Sequence, residues 1–280
     1  MKPPPFEYHA PRDVGEALRT LAEVRGGKVL AGGQSLIPML NMRLAAPEHL
    51  VDINRVAALD GIEVTAAGVR VGALVRHADA ERSQAHPLLT RALKLVAHPV
   101  IRNRGTVVGS LVHADPAAEL PAVLTALGGH VRLARWDGGR NNRGGGMVVR
   151  DVPASEFFVG PMESAVEPGE LAVSAFFPSS GDGVAFEEVA RRHGDYALAG
   201  VCAVVGAGVA RLACIGVGPV PVLVELGEDD WGSAARAVRE ATEPEADIHA
   251  SAAYRRHLVG VLAGRALRNA AREGAAARGV

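Results

Sequence analysis

Apolar positions along the first fifty residues change period several times, and each change marks an element. Asp13 to Val24 (DVGEALRTLAEV) carries apolar residues at helical spacing. Asp13 is placed as its N-cap and Gly26-Gly27 as its stop. Lys28-Val29-Leu30 reads as a short buried strand, and Ser35 is placed as the cap of a helix spelled SLIPMLNMRLA, with Pro38 in its first turn. His49 to Asn54 reads as a second strand. The opening segment is thus a small α/β unit with short connections.

From Gly61 the period shortens. GIEVTAAGVRVGALVRH alternates on either side of Ala66-Ala67-Gly68 and predicts a β-hairpin. Helical stretches are expected over Ala78 to Ser83 and Leu88 to Val96. A further helix is expected to begin at Asp115-Pro116, with Asp115 as N-cap and Gly128-Gly129 as the stop. His130 to Val152 reads as two strands around an exposed, mobile Gly/Asn-rich loop, Asp137 to Gly146. Gly169 to Pro178 reads as another strand. The Pro178-Ser179-Ser180-Gly181-Asp182-Gly183 loop is the expected domain boundary. Beyond it come a hairpin (Ala199 to Gly206, Val209 to Gly216) and two helices, Ser233 to Glu240 and Ser251 to Gly274. The basic face of the last helix reads as a solvated surface.

Composition narrows the function. A net charge of −1 and an aromatic content of 4% argue against a nucleic-acid footprint. No segment reads as a signal peptide or membrane span, and two cysteines, Cys202 and Cys214, imply neither a disulfide framework nor a cluster site, so the expected location is cytoplasmic. No Ser-His-Asp set, metal-ligand cluster or carboxylate pair stands out.

Two glycine-rich segments carry the chemistry: Ala31-Gly32-Gly33-Gln34-Ser35 and Thr106-Val107-Val108-Gly109-Ser110. Each pairs bare backbone with a hydroxyl and opens a helix. Glycine lets main-chain N–H groups approach an anion closely. Either segment is also readable as an ordinary capped turn; two of them together suggest the diphosphate of a dinucleotide cofactor.

The stretches AGGQSLIPMLNMRLAAPEHLVDIN, HPVIRNRGTVVGSLVHADPAAELPAVLTALG, RRHGDYALAGV and AAYRRHLVGVLAGRAL closely resemble the flavin-binding medium subunit of molybdenum hydroxylases, the group that includes aerobic carbon monoxide dehydrogenase and xanthine dehydrogenase. The resemblance covers nearly the whole chain. It implies an α+β fold: a two-part FAD-binding domain of the PCMH type over residues 1–177 (parts of about 1–56 and 57–177), then a smaller antiparallel-sheet-plus-helices domain over 178–280. It further implies non-covalent FAD, held by Ala31, Gly32, Gly33, Gln34, Ser35 and Leu36 from the first segment and by Thr106, Gly109 and Ser110 from the second. Val108 stands where the family usually has the first of two glycines. Asp115 reads both as a helix cap and as a flavin hydrogen-bond partner. Tyr196 reads as lying against the isoalloxazine, or otherwise as a core tyrosine. His98 and His113, on either side of the second segment, read as structural.

In that family electrons leave molybdopterin, cross [2Fe–2S] clusters and reach FAD, which passes them to an acceptor. The resemblance therefore implies a molybdenum-bearing large subunit and a [2Fe–2S] small subunit as partners, assembled as a dimer of heterotrimers. Two other readings of the residues stay open: a self-contained flavoenzyme, and a scaffold without flavin. Glu188 occupies a position where relatives often carry Lys. A carboxylate near the flavin disfavours its reduced anion, so Glu188→Lys is expected to raise the flavin midpoint potential; an unchanged potential in a spectroelectrochemical titration would remove Glu188 from the account.

Overall fold

A computed structural model describes residues 1–138, 145–180 and 183–277. The tip of the Asp137–Gly146 loop and the centre of the expected boundary loop lie outside the described residues.

The first part is a three-stranded parallel sheet. Its strands are β1 (Glu7–His9), β2 (Gly27–Leu30) and β3 (His49–Asp52), in the order β1-β3-β2. Helix α1 (Val14–Glu23) connects β1 to β2, and α2 (Leu36–Asn41) lies between β2 and β3. Asp13 caps α1 as expected, its Oδ1 accepting from Glu16 N at 2.8 Å. Ser35 occupies the cap position of α2 but makes no side-chain cap bond. Its backbone is already helical (φ −97°, ψ −46°), which turns the hydroxyl away from the helix amides that a β-region cap would meet.

The second part is built on a five-stranded antiparallel sheet, β4-β5-β10-β6-β7. The expected hairpin is present as β4 (Ile62–Thr65) and β5 (Gly68–Gly72). Helices α3 (His77–Ser83), α4 (Pro87–Leu95), α5 (Pro99–Arg102), α6 (Val107–His113) and α7 (Glu119–Leu127) follow, then β6 (His130–Asp137) and β7 (Gly146–Pro153). A short α8 (Ala154–Phe157) and the two-stranded ribbon of β8 (Phe158–Gly160) and β9 (Glu163–Ser164) lead to β10 (Glu170–Pro178), which inserts between β5 and β6. All nine residues of α7 are buried, and Phe157 and Phe177 fill the core beside them.

Helix α7 begins four residues later than Asp115. The reason is Pro121. In a helix starting at Pro116, Pro121 would sit in the interior, lacking its N–H and clashing with the preceding turn. Starting at Glu119 places Pro121 in the first turn, where no intrahelical donor is required. Asp115 instead closes a tight turn, its Oδ1 accepting from Ala117 N at 2.8 Å, while Ala118 takes the cap position.

The third part is the four-stranded antiparallel sheet β11 (Gly183–Ala190), β12 (Ala197–Gly206), β13 (Val209–Ile215) and β14 (Val222–Gly227), in that order. Helix α9 (Ala234–Ala241) and the long α10 (Ala252–Ala277) pack on it around a second, Ala/Val-rich core. Gly183 makes the approach of α10 possible, since a Cβ there would lie 1.7 Å from the Ala270 carbonyl oxygen. The buried Arg255 anchors α10 by donating to the Leu198 carbonyl at 2.6 Å and to Asp247 Oδ2 at 2.6 Å. Among the described residues, no helix is long and apolar enough to cross a membrane.

Candidate cofactor site

The loop after β2 and the start of α6 lie back to back, and their contact shapes a cavity of 510 Å³. Gly32 is the point of closest approach. A Cβ built there would lie 2.5 Å from the Arg104 carbonyl oxygen and 2.8 Å from Gly105 Cα, so any side chain would push the two segments apart. Gly33 follows with φ +74°, a conformation that glycine adopts without strain. The amides of Gly32, Gly33, Gln34 and Ser35 donate to no acceptor among the described residues. That leaves a short run of unspent donors on the cavity wall.

A polar clamp holds the contact from behind. Asn54 Nδ2 donates to the Ala31 carbonyl at 2.8 Å, and Asn54 Oδ1 accepts from Arg76 Nη2 at 2.6 Å. Arg76 Nη1 in turn donates to the Arg104 carbonyl at 2.6 Å. Backbone bonds from His77 N to the Gly105 carbonyl (2.9 Å) and from Val107 N to the Val75 carbonyl (3.1 Å) complete the lock.

The second segment is the first turn of α6 rather than a free-standing turn. Thr106 is its N-cap, with Oγ1 accepting from Gly109 N at 3.1 Å. Val108 is a helical residue whose backbone needs no positive φ; it is 2% exposed and still forms part of the cavity wall. Ser110 Oγ lies 2.9 Å from His77 Nε2. Burial lowers the His77 pKa to about 4, which keeps the ring neutral near pH 7.

Ala31, Gly32, Gly33, Gln34, Ser35, Leu36, Thr106, Gly109, Ser110, Asp115 and Tyr196 all line this one cavity. Tyr196 is no core residue: it is 60% exposed. Desolvation of its phenol, reinforced by Asp115 and Glu119, pushes its pKa up to about 12. The loop that carries Tyr196 is seated by Gly194, whose Cβ would lie 2.8 Å from His98 Cε1. His98 is not among the lining residues, whereas His113 is. Glu188 does not line the cavity either; it sits on β11 opposite Gly200. Burial pushes its carboxyl up to about 7, and its Oε2 is buried without a hydrogen-bond partner among the described residues.

Sequence reasoning missed two lining groups of consequence. His77 carries no motif, and its role follows only from the pairing of Arg76 with Thr106. Glu119 reads as an ordinary first-turn acid of α7, yet it is 6% exposed. Burial first, then the charge of Glu188, raises its pKa to about 8. The cavity therefore has a neutral imidazole and a neutral carboxyl in its wall near pH 7.

The profile of the FAD binding domain in molybdopterin dehydrogenase matches residues 4–180, and that of the CO dehydrogenase flavoprotein C-terminal domain matches residues 184–270. The chain belongs to this family of flavin-binding oxidoreductase subunits. It is 39% identical to the 6-hydroxypseudooxynicotine dehydrogenase complex subunit alpha of Paenarthrobacter nicotinovorans, over 96% of each chain. It is 40% identical to the carbon monoxide dehydrogenase medium chain of Hydrogenophaga pseudoflava, over 95% of this chain and 97% of that one. The solved structure of the carbon monoxide dehydrogenase from Hydrogenophaga pseudoflava superimposes with a TM-score of 0.87 at 35% identity, covering 98% of this chain and 100% of that chain.

The raised pKa of Glu119 couples stability to pH. Its folded-state pKa of about 8 stands above the 4.5 of a free glutamate carboxyl, so the folded chain holds a proton that the unfolded chain releases. Stability of the FAD-free chain is thus expected to fall as pH rises from about 5 to about 8. Denaturant midpoints measured across that range should decline less in Glu119→Gln than in the unaltered chain.

Proposed function

We propose that this chain is the FAD-binding electron-transfer subunit of a heterotrimeric molybdenum hydroxylase. The observation that carries the reading is the convergence of both glycine-bearing segments, Asp115 and Tyr196 on one cavity, in a chain that belongs to the flavoprotein family. FAD, when bound, supplies a carrier that takes up two electrons and releases them to an acceptor.

The residues present suit that cofactor. The free amides of Gly32 to Ser35 offer neutral donors to a diphosphate, and the lack of a Cβ at Gly32 brings the backbone of the two segments within reach of one ligand. Ser35 Oγ, not engaged as a helix cap, is a further donor for the phosphate oxygens. Ser110 is oriented by His77, which stays neutral and adds no fixed charge. Asp115 and the protonated Glu119 provide an acceptor and a donor for the polar edge of the flavin or its ribityl hydroxyls. Tyr196 offers an exposed ring against which a flat heterocycle can pack.

The same reading divides the chain at 177/178; the C-terminal sheet has its own core with α9 and α10, while Val184, Ala197, Cys202, Ala213 and Ile215 join it to the core of the preceding part. It assigns molybdopterin to a large partner subunit and [2Fe–2S] clusters to a small one, in a dimer of heterotrimers located in the cytoplasm. Electrons would arrive from the clusters one at a time, and the part of this chain is to seat the ring and set its potential.

The isolated chain is expected to be yellow, with one FAD per chain released intact by heat and identified by chromatography. A colourless chain that takes up no added FAD, alone or with its two partner subunits, would overturn the reading.

A further inference from the structure

At the β1 edge of the first sheet, opposite the β2 edge that lines the cavity, three metal-ligating side chains converge. Glu7 and His9 occupy alternate positions of β1 and therefore point to the same face. The parallel pairing of β1 with β3 sets His49 directly beside Glu7. His9 Nε2 lies 3.1 Å from His49 Nδ1, and the same His49 nitrogen lies 3.5 Å from Glu7 Oε2. One ligand atom from each residue falls within 4.8 Å of the others, and among the described residues this is the one group of its kind. Sequence spacing hides it, because His49 is forty residues from His9.

We propose that Glu7, His9 and His49 form a binding site for a divalent first-row transition cation such as Zn²⁺. The geometry suits one. Two imidazole nitrogens bound at about 2.1 Å lie roughly 3.0 Å apart at a right angle and roughly 3.4 Å apart at a tetrahedral angle. The observed 3.1 Å falls between these values, so the two nitrogens already stand at a chelating separation, and the rings have to turn until both lone pairs meet at the ion. Two imidazoles and a carboxylate make a ligand set that favours Zn²⁺, Ni²⁺, Co²⁺ or Cu²⁺ over Ca²⁺ or Mg²⁺, which prefer oxygen donors.

The metal-free geometry has a different meaning at the same atoms: one ring donates its N–H to the other. With a cation bound, both inner nitrogens present lone pairs and the ring protons sit on the outer nitrogens. The side chain of His49 is 19% exposed and that of Glu7 is 76% exposed, so the rings are held while the carboxylate is free to swing onto the ion. Three protein ligands leave room for water. The consequence is mechanical as well as chemical. The strand β1 is three residues long and pairs only with β3, at the edge of its sheet. A shared cation would pin it there.

The test uses the untagged, FAD-loaded chain, stripped of metal with a chelator and dialysed. Calorimetric titration with Zn²⁺ should give one ion per chain. Glu7→Gln, His9→Ala and His49→Ala should each weaken it by at least about tenfold, while His257→Ala, at an exposed histidine on α10, should bind as the unaltered chain does. Co²⁺ should give visible d–d absorption that His49→Ala abolishes, and Zn²⁺ should raise Tm in the unaltered chain but not in His9→Ala. Failure of the unaltered chain to bind Zn²⁺, or binding by Glu7→Gln and His9→Ala as tight as by the unaltered chain, would overturn the proposal. Glu7 is exposed enough that its variant reports even if a histidine variant misfolds.

Discussion

The cavity depends on the contact between Gly32 and the Arg104–Gly105 backbone. Two segments some seventy residues apart in sequence meet there at a distance that no side chain permits. Everything else in the site follows from that approach. The Asn54–Arg76 clamp fixes it from the polar side, and the Arg76–Thr106 bridge sets the start of α6 against it. Gly194, packed on His98, then brings the Tyr196 loop from the C-terminal half to the same opening. One close backbone contact thus organises residues from all three parts of the chain around a single space.

Burial sets the charge state of two groups in the wall of that space, His77 and Glu119, while Glu170 and Asp195 in the same wall are ion-paired with Arg150 and Arg191. His77 is neutral because its ring is buried, and Glu119 is protonated near neutral pH for the same reason. Glu188 lies behind the wall with a pKa of about 7, so its influence on a bound flavin would be that of a partly neutral carboxyl. His77 and Glu119 thus supply polar contacts without adding charge. That is appropriate to a carrier whose ring changes charge as it is reduced, since fixed charges close by would favour one redox state strongly.

Much of the fold was legible because local and global signals agree. Asp13 caps α1, the Ala66–Gly68 turn joins β4 to β5, and the glycines at 128 and 129 end α7. The departures have local physical causes. Pro121 delays α7 by several residues, so that Asp115 caps a turn instead of the helix. Thr106 to Ser110 reads as a turn because of its glycine, whereas the Thr106 cap makes it helical from Val107 onward. Strands β1, β8, β9, β11 and β14 were not anticipated: β1, β8 and β9 are very short, and the apolar runs of β11 and β14 are broken by Glu187-Glu188 and by Glu225. The glycines and hydroxyls of the site stood out from their composition. His77 and Glu119 did not, since a residue acquires those roles only from burial that tertiary packing creates. The Glu7–His9–His49 cluster needed the parallel register of β1 on β3, which no local pattern specifies.

The most direct test of the cradle is the FAD affinity of Gly32→Ala compared with Gly61→Ala, measured by titrating the flavin-free chains with FAD and following flavin fluorescence. A Cβ at Gly61 meets nothing within 4 Å, so that variant controls for the glycine-to-alanine change itself. The account predicts that Gly32→Ala, with an unchanged circular dichroism spectrum, binds FAD at least about tenfold more weakly, about 1.4 kcal/mol, while Gly61→Ala binds as the unaltered chain does. Equal affinity in all three chains would contradict it.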